Sequence, residues 1–182
     1  VPVVRPDWPR WDRALRDAVD RGAPAIRAYP SQWSMPADDP AMLRLSAACD
    51  EAGVALVLTV RFEDLRQRHP LDVANDLSAA AIRALARART STRIVVTAAG
   101  RDLIEEVHWG LTDAERARLF WDFSWVWGPP ENDLAHLFST MGADRFVCGT
   151  GWPLRLTQNV RSNLALLPSE RSSAALADPS QW

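Results

Sequence analysis

Three carboxylates are the residues best placed to do chemistry. Glu63 and Asp64 follow Arg61 in a dense polar run, and Asp122 stands alone in an aromatic stretch. A carboxylate beside a guanidinium can orient an anionic substrate through the arginine or act itself as acid or base. Glu63 and Asp64 are therefore candidate catalytic residues, with Arg61 as a substrate anchor. The competing reading is a salt-bridged surface cover made of Arg61, Glu63, Asp64 and Arg66, because loop ion pairs are common and contribute little. Asp122 has Phe120, Trp121, Phe123 and Trp125 around it. Burying an acid there unpaired is expensive, so it is expected to pair with an arginine, to serve the substrate, or both. It is the third catalytic candidate.

Other chemistries find less support. His69 is a lone histidine before Pro70, and His108 and His136 fall on predicted helices; all three read more readily as structural. No serine sits in a nucleophile elbow, and neither Cys49 nor Cys148 has an activating neighbourhood. Both cysteines lie in apolar contexts and are expected to be reduced and buried, as in a cytoplasmic protein. All 21 basic residues are arginine, so no lysine is present for a Schiff base or a carbamylated metal bridge. A net charge of −2 without like-charge runs gives no case for nucleic acid or an anionic membrane. No apolar run approaches the roughly 18 residues of a membrane span. The expected partner is a small molecule.

The elements that must position these residues alternate in type. Short apolar runs at 1–4, 25–29, 54–60, 93–97, 119–124 and 145–148 read as strands. Residues 54–60 form the strongest, nearly all apolar, as suits a parallel strand covered on both faces. Between the runs lie helical patterns at 8–21, 39–53, 71–89, 101–109, 129–142 and 157–167. Asp39 followed by Pro40 reads as a cap with proline in the first turn, Gly22 as a C-terminal stop, and Thr112 with Glu115 as a capping box. Alternation of this kind means βα units, a parallel sheet and right-handed crossovers. Residues 1–168 are expected to form one domain, and 169–182 a frayed Ser- and Ala-rich tail. Functional side chains then belong at the C-terminal strand ends. These ends offer Arg27, Tyr29, Arg61, Ser124, Thr150, Trp152 and Arg155 as substrate-binding candidates. Trp121, Trp125, Trp127 and Trp152 either line a pocket there or pack the core.

The stretch from Gly142 to Arg155, a short strand running into Gly149-Thr150-Gly151-Trp152-Pro153, resembles the last barrel strand of the amidohydrolase-related family (the amidohydrolase 2 type of metal-dependent hydrolase). There the turn usually reads Gly-Ser/Thr-Asp-Trp/Tyr-Pro. Residues 22–31, 38–60 and 143–150 carry the same resemblance. It implies a (β/α)8 TIM-barrel fold of which this chain covers about six βα units, strands three to eight. The first two strands, with the family's His-x-His metal pair, would lie upstream of Val1 or be supplied by another copy.

The resemblance also implies positions for the metal ligands, where members often hold a divalent ion such as zinc. Here those positions carry Thr59, Ala98 and Gly151. None supplies the nitrogen, oxygen or sulfur donors a transition metal needs, apart from one weak hydroxyl. No metal and no other cofactor is therefore expected. Two functions stay open. One is a hydrolase acting on a small carboxylated or amide-containing molecule. The other is a catalytically silent relative that binds or scaffolds. An unrelated open α/β sheet is a third, weaker reading, since no Gly-rich phosphate loop follows the first strand.

Overall fold

A computed structural model describes residues 1–35, 39–64, 66–88, 91–127, 130–151 and 156–167. Five parallel strands, β1 (Ala25–Ala28), β2 (Ala55–Thr59), β3 (Ile94–Thr97), β4 (Leu119–Asp122) and β5 (Phe146–Val147), follow one another in the sheet in chain order. Doubly wound sheets reverse their order at a switch point. Without a reversal, right-handed crossovers put every helix on one side of the sheet. The chain is an α/β fold, the arc of a (β/α)8 barrel.

Of the six expected strands, the first is reduced to a single bridge between Val3 and Arg27. The Arg27 N–H donates to the Pro2 carbonyl at 2.8 Å and the Val4 N–H to the Arg27 carbonyl at 3.1 Å. Proline has no N–H to extend this ladder. Interposed between the strands are α1 (Trp11–Asp20), α2 (Pro40–Glu51), α3 (Ala79–Ala88), α4 (Arg101–Trp109), the single-turn α5 (Asp113–Arg116) and α6 (Asp133–Met141); α7 (Thr157–Ala165) follows β5. The expected helix over 71–89 is corrected: it starts eight residues later, at Ala79. Residues 71–77 instead run as an irregular segment, tied down where the Leu77 N–H donates to the Val60 carbonyl at 3.0 Å.

Period-two alternation sorts each strand into two faces. Ile26, Ala28, Leu56, Leu58, Val60, Ile94, Val96, Leu119, Trp121 and Phe146 face the helices and join one large buried cluster with Leu15, Met42, Ile82, Ile104 and Leu137. The opposite, barrel-interior face carries a smaller layer of Ala25, Ala55, Val57, Val95 and Val147, with Phe120 against it. Two residues further along each strand, that same face turns polar.

Candidate functional site

The polar layer is a direct product of strand register. Stepping by two from the buried interior residues gives Arg27 on β1, Thr59 on β2, Thr97 on β3, Asp122 on β4 and Gly149 just beyond β5. Thr59 and Thr97 are register partners. Arg27 Nη1 donates to Thr59 Oγ1 at 3.2 Å, and the two threonine hydroxyls are 3.1 Å apart. These residues floor a cavity of about 380 Å³, whose walls are Tyr29, Arg61, Phe62, Ala98, Ser124, Trp125, Thr150 and Gly151. Pockets that hold small ligands span ~300–1,000 Å³, so this one is at the small end. It opens at the C-terminal strand ends, where barrels place their sites.

Asp122 is 6% exposed. Its Oδ1 accepts from Ser124 Oγ at 2.6 Å, the Ser124 N–H at 3.1 Å and the Ala98 N–H at 3.4 Å. The expected arginine partner is corrected: among the described residues no guanidinium nitrogen lies within ion-pair distance, and a hydroxyl with two backbone N–H groups takes that role. Burial pushes the carboxyl upward, against the opposing pull of Ser124, the Ala98 N–H and, last, Arg27. The acid is thereby biased toward its protonated form. Its Oδ2 lies over Gly149, where an added Cβ would come within 1.5 Å of it. Only glycine leaves room for the carboxyl there.

The structure gathers Arg27, Tyr29, Arg61, Asp122, Ser124 and Thr150 around one cavity. Trp152 and Arg155 lie outside the described residues, as does the 169–182 tail. Glu63 and Asp64 do not line the cavity, and Arg61 does not pair with them. Glu63 Oε1 accepts the Asp64 N–H at 2.9 Å. Asp64 takes Arg66, at 2.9 Å from its Nε, and this hydrogen bond holds its carboxyl down at about 2. That half of the expected cover is a local surface pair. Arg61 turns instead to Asp76, with Nη2 2.8 Å from Oδ2, and sits over the Trp125 ring at 5.4 Å.

Of the other tryptophans, Trp121 is core and Trp127 is 55% exposed. His69 Nδ1 accepts the Leu71 N–H at 3.1 Å, a turn contact, and His136 Nε2 lies 2.7 Å from Glu105 Oε1 on the helical side. Cys49 is buried, with its thiol pushed up to about 12 by that burial. Cys148 is exposed, against expectation, because β5 ends at Val147.

Sequence reasoning missed Thr97, Phe62, Gly149 and Asp76. Alternation along β3 and β5 carried a signal for Thr97 and Gly149. Asp76 had none, since its partner Arg61 is fifteen residues upstream.

The resemblance to amidohydrolase-related proteins implies metal-ligand positions at this mouth, and the side chains at those positions do not fit a divalent metal. Thr59 Oγ1 is held between Arg27 and Thr97. Ala98 offers only its backbone, and Gly151 has no side chain. Arg27 brings positive charge onto the same floor. Among the described residues no three His, Cys, Asp or Glu side chains group as a metal site.

No family model matches the chain, and no curated protein matches it in sequence. Solved structures do. An uncharacterized TIM-barrel protein from Bordetella bronchiseptica superposes with a TM-score of 0.68 at 14% identity, covering 98% of this chain and 63% of its own. An amidohydrolase from Mycobacterium avium subsp. paratuberculosis gives a TM-score of 0.63 at 17% identity, covering 99% of this chain and 55% of its own. The fold is thus that of a TIM barrel, shared with an amidohydrolase, and the chain spans less than two thirds of either neighbour. No helix among the described residues is long and apolar enough to cross a membrane.

Proposed function

We propose that the barrel mouth binds a small carboxylated molecule, and does so without a metal ion. One observation carries this reading. Arg27 is a half-buried guanidinium on the cavity floor with no carboxylate within ion-pair distance among the described residues, and the only acid lining the cavity there, Asp122, is biased toward neutrality. A cation without a counter-ion in a restricted, partly apolar site favours an anion, and a guanidinium suits a carboxylate in shape as well as charge.

A second reading rests on Asp122. A buried carboxyl biased toward protonation, with one oxygen taken up by donors, can give its proton to a leaving nitrogen as water adds to the carbonyl carbon and the C–N bond breaks. This is the acid step of amide hydrolysis. Hydrolysis of a carboxylated amide therefore remains compatible with the same pocket, with Arg27 as anchor. Glu63 and Asp64 have no part in either reading.

The test is calorimetric titration of the 182-residue chain with butyrate, in parallel with Arg27→Gln. Binding that weakens at least tenfold in the variant supports the proposal. No binding by the wild type, or equal binding by both, overturns it. Equilibrium dialysis against zinc that left one ion bound per chain would remove the metal-free part.

A further inference from the structure

Arg61 raises a separate question, because it enters the cavity already holding a carboxylate. That carboxylate is shared. Asp76 Oδ2 lies 2.8 Å from Arg61 Nη2, while its Oδ1 is 2.7 Å from Arg68 Nη2. Arg68 is the better-anchored claimant, since its side chain is 7% exposed and it also donates to the Glu63 and Ala74 carbonyls. Arg68 also has Asp72 Oδ2 3.6 Å from its Nε, so Asp72 and Asp76 together face the two guanidinia, and Arg61 is left with a share of Asp76 alone. Among the described residues the buried Nε of Arg61 has no hydrogen-bond acceptor, and neither has the Nε of Arg68.

Resting on the carboxylate reading above, we propose that Arg61 is a second anion anchor of the mouth and that Asp76 is the residue that positions it. The ligand class is then a small molecule with two acidic groups, one met by Arg27 and one by Arg61. Asp76 on one side and the Trp125 ring on the other fix a long side chain that would otherwise lose rotamer freedom on binding. Arg68 holds Asp76 in turn, so the irregular 71–77 segment is built into the anchor and its orientation is set before the ligand arrives. Arg27 and Arg61 both line the cavity, the first without a carboxylate partner among the described residues and the second sharing Asp76 with Arg68, so each offers a place for one acidic group.

The experiment compares succinate with butyrate, which have the same chain length and differ by one carboxylate, on the full chain. Wild type is expected to bind succinate at least tenfold more tightly. Arg61→Gln should bring that ratio near one, weakening succinate far more than butyrate, with Arg61→Lys retaining part of the preference. Asp76→Asn should lower the ratio several-fold and Asp76→Glu restore part of it, while melting curves verify that each variant is folded. General loosening of the fold would weaken both ligands together and leave the ratio untouched, which would overturn the positioning role. A wild-type ratio near one, or a ratio that survives Arg61→Gln, overturns the second anchor while butyrate binding keeps the first. Tighter succinate binding in Asp76→Asn would make Asp76 a competitor and overturn its positioning role. Failure of both ligands to bind overturns this proposal together with the reading it rests on.

Discussion

Asp122 and Gly149 occupy one volume between them. A Cβ at position 149 would meet Asp122 Oδ2 at 1.5 Å and Cγ at 2.4 Å, so Gly149→Ala must push the carboxyl off its three donors. Overpacking a tight site costs ~1–3 kcal/mol, and denaturant titration should find a loss in that range. The cause is checkable by a double-mutant cycle. In an Asp122→Ala background the clashing atoms are gone, and Gly149→Ala should cost about 1 kcal/mol less than in wild type. Equal costs in both backgrounds would show that the glycine is needed for some other reason. Sequence made Asp122 visible, because an acid among aromatics is anomalous. It could not show what holds it, since Ser124, Ala98 and Gly149 meet it only once strands are in register. Glu63 and Asp64 show the reverse. Their composition suggested a site, but a carboxylate two residues from an arginine is satisfied locally, as Asp64 is by Arg66.

Helix starts with a side-chain cap in the sequence were legible, because caps are local chemistry, whereas α1, α3 and α6 begin three, eight and four residues later than expected. Asp39 Oδ1 accepts the Ala41 N–H at 2.7 Å with Pro40 in the first turn. Thr112 and Glu115 form both bonds of their box, though the Thr112 Oγ1 contact is long at 3.4 Å. Cap removal costs ~0.5–2 kcal/mol. The two sites should divide that range. α2 buries five residues, including Met42, Leu45 and Cys49, whereas α5 buries none. Asp39→Ala is expected to cost about 1 kcal/mol or more, and Thr112→Ala about 0.5 kcal/mol. Thermal melts of the two variants check the order, and a larger loss for Thr112→Ala would contradict it. The late start of α3 carried one local signal, Ser78, whose Oγ accepts the Ala81 N–H at 3.2 Å, but the path leading to it was not legible. Residues 71–78 have no helix breaker after Pro70, and their irregular path is imposed from elsewhere, by Arg68 and by the Val60 carbonyl. Tertiary contacts overrode local propensity there.

At the scale of the molecule, apolar strand runs alternating with helices were enough to give a parallel α/β arc, and the interior polar layer follows from their register. The charge balance of that layer has a consequence for the whole fold. A carboxyl whose folded value is raised above its ordinary 3.8 binds more protons folded than unfolded, so its contribution favours the fold at low pH and is lost as pH rises through the folded value. Asp122 therefore opposes folding progressively from weakly acid toward neutral pH. Asp64 has the opposite sign. Its carboxyl, held at about 2 by Arg66, supports the fold above the ordinary value of 3.8 and loses that contribution as pH falls through about 2. Asp122→Asn keeps the shape and removes the titration. Urea unfolding at pH 4.5 and pH 7.5 should find the variant gaining on wild type at the higher pH, through relief of a buried charge that Arg27 and Ser124 only partly compensate. Asp64→Asn, on an exposed pair where screening leaves little energy, should show no such gain across the same interval. If Asp122→Asn tracked wild type at both pH values, the acid would be no easier to protonate than a surface aspartate. The hydrolytic reading of the mouth would then lose its proton donor, and the carboxylate reading would lose the neutral acid beside Arg27 and rest on the absence of an ion pair there alone.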